Sequence, residues 1–214
     1  MRAWSEIIRR DLALALRGGM WLPVLFFLLV ATLFPFAVGP DTRLLERTGG
    51  GVLWIAALLA ALLPVDRLVA PDRDAGVLDQ YAIRGLGDEA VAAAKMLAHW
   101  LSFGPPLMLA AIPASALLRL DGTTLGRLEL GLALGTPALA ALGLTASALT
   151  AGLRGGGALA GLLMLPLAVP VLIFGAGALT AIDGSAFKLL AAASLVLVAG
   201  APFAAGAALK AMRD

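Results

Sequence analysis

The chain has 214 residues, of which 61% are apolar and 14% charged, with a mean hydropathy of +0.95 and a formal net charge of +2. A soluble domain carries roughly a quarter of its residues as Asp, Glu, Lys and Arg, so this composition excludes an ordinary soluble fold and describes an integral membrane protein. No basic tract suited to nucleic acid is present, and the lack of cysteine excludes disulfides, thiolate metal sites and a thiol nucleophile.

From the N-terminus, residues Ala3 to Arg17 fit an amphipathic helix. Trp4, Ile7, Ile8, Leu12, Leu14 and Ala15 fall on one side, and Arg2, Glu6, Arg9, Arg10 and Arg17 on the other. Such a helix lies on a membrane surface. Asp11 interrupts the apolar side and is read as contacting a neighbouring subunit or reaching out to water. No small-residue cleavage site follows the apolar block at 22–38, so the segment is expected to be retained and not removed as a signal peptide.

Six apolar blocks follow, at Leu22–Val38, Gly50–Val65, Met96–Leu118, Leu128–Gly152, Gly157–Ala181 and Leu189–Leu209. Each approaches or exceeds the ~17–25 residues that a helix needs to cross a bilayer. The alternating ten-residue strands of a membrane barrel are absent, which leaves hydrogen-bonded helices as the way to satisfy the backbone. The fold expected is a single all-α, polytopic transmembrane domain. Lys and Arg on alternate sides of these spans count eleven against five. The positive-inside rule therefore puts both termini and the segment between spans two and three in the cytoplasm. On the other side only short loops remain, Gly39 to Thr48, Arg119 to Arg127 and Ile182 to Lys188, too small for a domain.

The longest polar interruption, Asp66 to Lys95, carries ten of the thirty charged residues. Pro71 can open a helix and Gly85 and Gly87 can close one, giving one helix of about three turns. Val77, Leu78, Tyr81 and Ala82 form its apolar face, with Arg73, Asp74, Gln80 and Arg84 off it. That face calls for a protein partner, although a solvated loop with a membrane-surface helix fits the same pattern. In the third span Gly104-Pro105-Pro106 and Pro113, and in the fifth Pro166 and Pro170, are expected to kink or break the helices. Gly131-x3-Gly135, Gly143-x3-Ser147 and Gly157-x3-Gly161 offer close helix packing.

Catalytic patterns are missing. None of the lysines, Lys95, Lys188 and Lys210, follows a glycine as a nucleotide-binding loop requires, and neither a His-Glu-x-x-His nor a Gly-x-Ser-x-Gly run occurs. No pair of mid-membrane carboxylates is present to carry protons. His99, the sole imidazole, lies beside Trp100 at the cytoplasmic end of the third span. These two are the candidates for a haem or interfacial contact, and for His99 a hydrogen bond to a helix end is the commoner explanation.

The runs Leu33-Phe34-Pro35-Phe36-Ala37-Val38-Gly39-Pro40, Trp54-Ile55-Ala56-Ala57-Leu58-Leu59, Ala94-Lys95-Met96-Leu97-Ala98-His99-Trp100, Leu134-Gly135-Thr136-Pro137, Gly152-Leu153-Arg154-Gly155-Gly156-Gly157 and 165–174 together resemble the CcmB family, the haem exporter B permeases of cytochrome c maturation. That family is similar to type-2 ABC exporters. The resemblance implies six spans, an N-terminal interfacial helix and a cytoplasmic coupling helix that docks on a separate ATPase, CcmA. ATP and its magnesium would belong to that partner, leaving this chain without catalytic residues. It also implies two copies of each of these subunits, association with CcmC and CcmD in membrane lipid, and work with the haem chaperone CcmE, with haem as the ligand transported or delivered. Against the family's usual Asp-Gly-x-Leu-Glu-Gln coupling motif, this chain has Ala75-Gly76-Val77-Leu78-Asp79-Gln80. Asp74, Gly76, Leu78, Asp79, Gln80 and Tyr81 are thus the expected ATPase contacts. A generic exporter of lipid or glycan and a non-transporting membrane scaffold are the alternatives.

Overall fold

The computed structural model describes residues 2–39, 41–180 and 183–213, and all regular structure among them is helical. Helix α1 (Arg2–Gly18) lies against the later helix Asp88–Leu117, with Ile7 buried and the Trp4 indole N–H donating to the Ala90 carbonyl at 3.1 Å. Gly19, at φ +105°, turns the chain into α2 (Trp21–Val38). Asp41 then caps α3 (Thr42–Leu62), accepting from the backbone N–H of Arg43 and Leu44. This cap starts the second spanning helix eight residues before Gly50, so the charged turn of Arg43, Glu46 and Arg47 is helical instead of loop.

A 3-10 turn (Val65–Arg67) leads into two short helices, α4 (Ala70–Asp74) and α5 (Val77–Ile83). The single helix expected here is broken at Gly76. Its φ of +67° is left-handed, and a Cβ there would meet nothing within 4 Å, so backbone conformation and not crowding favours glycine. Helix α6 (Asp88–Leu117) absorbs the end of the connector, Lys95 included. Helices α7 (Gly122–Thr150), α8 (Gly156–Gly177) and α9 (Ser185–Ala211) complete the chain. Among the described residues six helices are long and apolar enough to cross a membrane: α2, α3 and α6 to α9. Pro40, Ala181 and Ile182, which the expected loops and the end of the fifth span include, lie outside the described residues.

The prolines do not interrupt their helices: α6 runs through Pro105, Pro106 and Pro113, and α8 through Pro166 and Pro170. Neighbouring helices and local adjustment can re-satisfy the freed carbonyls in an apolar medium. Helix α7 is central and packs on α3, α6, α8 and α9. Its glycines admit one large side chain. A Cβ on Gly131 or Gly135 would lie 3.1 or 2.6 Å from the buried Trp54 indole, and one on Gly175 of α8 would lie 2.5 Å from it. Gly131-x3-Gly135 is therefore a slot for an α3 tryptophan, whereas Gly161 faces open space. Outward-facing Leu25, Leu29, Leu162, Ile173, Leu195 and Phe203 form the exposed apolar belt of a multi-pass membrane protein.

Candidate coupling site

Both described chain ends meet the α3–α6 connector at one end of the bundle. Arg213 pairs with Asp88 through both guanidinium nitrogens, and Arg73 donates to the Ala151 carbonyl of the α7–α8 turn at 3.1 Å. Helix α5 sits in this assembly with two distinct faces. Leu78 is 4% exposed and joins a cluster of Ile7, Val69, Val91, Leu144 and Leu209, with Tyr81 packed against it. Asp79, Gln80, Ile83 and Arg84 are exposed on the other side, Ile83 at 86%. Residues three and four apart share a helix face, so Leu78 with Tyr81 looks inward while Gln80 and Asp79 with Ile83 look outward.

The expected contacts on α5 therefore fall on two faces, with Tyr81 partly exposed. Leu78 and Tyr81 lie on the face that the chain's own bundle covers, because Ile7 of α1 and the start of α6 supply the apolar partners that the sequence pattern left unnamed. Asp74, Asp79 and Gln80 are outward, and Gly76 shapes the turn between α4 and α5. Ile83 was absent from the expected contacts despite its place beside Gln80 on the outer face.

Beneath α4 lies a cluster of four charged side chains. The Asp72 carboxylate is buried and receives Arg10 of α1 through both guanidinium nitrogens, one at 3.0 Å, and Lys95 of α6. Lys95 Nζ also donates to Asp11 Oδ2 at 3.0 Å and to the Leu68 carbonyl at 3.1 Å. Arg10 reaches Asp11 at 3.0 Å and donates to the Tyr81 hydroxyl at 3.4 Å. The hydrogen bond to Asp72 and the surrounding acids hold the Arg10 guanidinium above its ordinary value despite partial burial. Asp11 thus has a lysine of its own chain as partner. Its place on the apolar side of α1 was the available sequence signal, and an apolar stretch around Lys95 was the matching one.

His99 is buried, with its ring 4.8 Å from that of Phe103 and its Nε2 3.2 Å from where a Cβ on Gly143 would stand. Among the described residues neither ring nitrogen has a hydrogen-bond partner. Packing between α6 and α7 decides its position. Trp100 instead donates its indole N–H to Thr136 Oγ1 at 3.0 Å and joins α6 to α7. A cavity of about 280 Å³ touches His99, Ser102, Lys95, Asp72 and Asp11 on one side and Leu22, Pro23, Leu63 and Pro64 on the other. That falls just short of the roughly 300–1,000 Å³ common for drug-sized ligands. Among the described residues no three His, Asp or Glu side chains gather as a metal site.

A family profile described as CcmB protein matches residues 2–212. The chain is 49% identical to the Heme exporter protein B of Paracoccus denitrificans over 96% of this chain and 98% of that one. It is 47% identical to the protein of the same name from Bradyrhizobium diazoefficiens and 39% identical to that of Escherichia coli K12, each over 98% of both chains.

Proposed function

The chain belongs to the CcmB family, and from that premise we propose that it is the permease subunit of an ATP-driven complex of cytochrome c maturation, worked by a separate ATPase that docks on the outer face of α5. The observation that carries this reading is Ile83. It is 86% exposed at the end of the molecule that holds the connector and both described chain ends, beside exposed Asp79, Gln80 and Arg84. A branched apolar side chain amid charged neighbours suits a docked protein surface. The eleven-to-five excess of Lys and Arg supports placing this end in the cytoplasm of a bacterial inner membrane.

The ATPase is CcmA in this reading, and two copies of each subunit assemble with CcmC and CcmD. The name Heme exporter protein B, carried by relatives at 39–49% identity, supports haem as what the complex handles. This chain contributes no catalytic group. Nucleotide-driven closure of the ATPase pair pushes α5, and the close-packed helices respond by shifting between two arrangements, since packed interfaces rearrange as units. On the far side that shift serves haem delivery to CcmE or release of the haem-loaded chaperone.

Ile83→Asp tests the docking face. It leaves no buried residue disturbed in the chain alone but leaves a carboxylate unpaired at the docked surface. The expected result is normal insertion with loss of ATPase co-purification and of c-type cytochromes. Wild-type recovery of both would contradict the assignment.

A further inference from the structure

If the ATPase pushes on α5, directional contacts must carry that push into the membrane helices, and this inference rests on the docking reading. Apolar contacts such as those of Leu78 add close packing but no preferred direction, because the hydrophobic effect is non-directional. The four-charge cluster is different. Asp72 is 6% exposed and Lys95 3% exposed, and each of the three ammonium protons of Lys95 has an acceptor: Asp11 on α1, Asp72 on α4 and the Leu68 carbonyl just before α4. Arg10 binds Asp72 and Asp11 from the opposite side and also meets Tyr81 of α5. Two cations and two anions balance, and no formal charge is left over within the cluster.

Such a set, with Asp72 and Lys95 buried and Arg10 and Asp11 partly open, is weak evidence of stability, because apolar residues of similar volume commonly serve a fold as well or better. What charged hydrogen bonds add is fixed geometry between the elements that carry them. Here they join α1, α4 and α6, with Tyr81 of α5 at the edge. The start of α2 and the residues that follow α3 line the same 280 Å³ cavity as Asp72 and Lys95. The elements on the connector's side are thus tied to one another by directional bonds, and the cavity lies beside that tie, while α2 and α3 also pack on α6.

We infer that Arg10, Asp11, Asp72 and Lys95 form the relay through which connector movement reaches α1 and α6, and that these four are positioning residues for the ATP-driven step. The test is the double variant Lys95→Met with Asp11→Asn, made in the assembled complex with its ATPase. It removes one charge of each sign and retains the Arg10–Asp72 pair, so no formal excess of buried charge is created. The relay predicts wild-type amounts of complex and wild-type ATP hydrolysis, with cytochrome c formed per ATP hydrolysed falling about tenfold, inside the ~5–150-fold range of coupling between sites. A purely structural cluster would instead lower complex, hydrolysis and cytochrome together, and that result would overturn the relay. So would an unchanged cytochrome yield per ATP in a normally assembled variant. Absence of the ATPase from the wild-type preparation itself would defeat the docking reading first, and the relay with it.

Discussion

Adding one methyl group at Gly175 should disturb the molecule more than its size suggests. The new Cβ would stand 2.5 Å from Cε2 and Cζ2 of Trp54 and 2.7 Å from Cη2. The indole is 1% exposed, and its far side is already against α7, where a Cβ at Gly135 would be 2.6 Å away. Neither a rotation of a flexible chain end nor a free gap is available to relieve the contact. Overpacking of this kind costs about 1–3 kcal/mol. Replacing a helical glycine with alanine returns roughly 0.5–1 kcal/mol through backbone entropy. Gly161→Ala in the same helix supplies that gain without the clash, because nothing lies within 4 Å of its Cβ position. The difference between the two variants therefore isolates the steric part, at about 1–3 kcal/mol. Reversible unfolding of the purified chain in mixed micelles measures it, and a Trp54→Phe background should shrink the difference. Equal stability of the two variants would refute the three-glycine slot.

Leu78→Ala should destabilise the chain even without its ATPase, by about 2–5 kcal/mol for a buried leucine; unfolding of the isolated chain checks this, and unchanged stability would return Leu78 to the docking face. His99→Leu should leave stability equal or higher, since no hydrogen bond is lost and an orphaned polar ring is removed. Cytochrome c yield at matched expression should also persist, whereas its near-complete loss in an assembled, hydrolysing complex would put a haem ligand at this position.

Much of the fold was legible because span length and hydropathy obey bilayer thickness, and all six spanning helices fall where apolar blocks stand. Helix starts were less so. Asp41 and Asp121 cap α3 and α7 well outside the apolar blocks, so each helix begins in polar sequence that hydropathy cannot register. The connector's composition marked it as special, but which face of α5 looks outward depended on α1 and α6, distant in sequence. Periodicity identifies an apolar face without saying whether the chain itself covers it, and Leu78 illustrates that limit. Asp11 was conspicuous as a charge on an apolar helix side, whereas Lys95 read as the end of the polar connector. Their meeting across 84 residues required the fold.

The docking claim meets its most direct measurement in a single cysteine. The chain has none, so Ile83→Cys creates a unique thiol on the outer face of α5, and Leu130→Cys creates a control at the opposite end of the bundle, where Leu130 is 50% exposed. In membranes holding the assembled complex, a short thiol-directed photo-crosslinker should join the ATPase subunit to position 83 and leave position 130 unlinked. Crosslinking of the ATPase at 130, or its absence at 83 in a complex that still hydrolyses ATP and matures cytochrome c, would contradict the account.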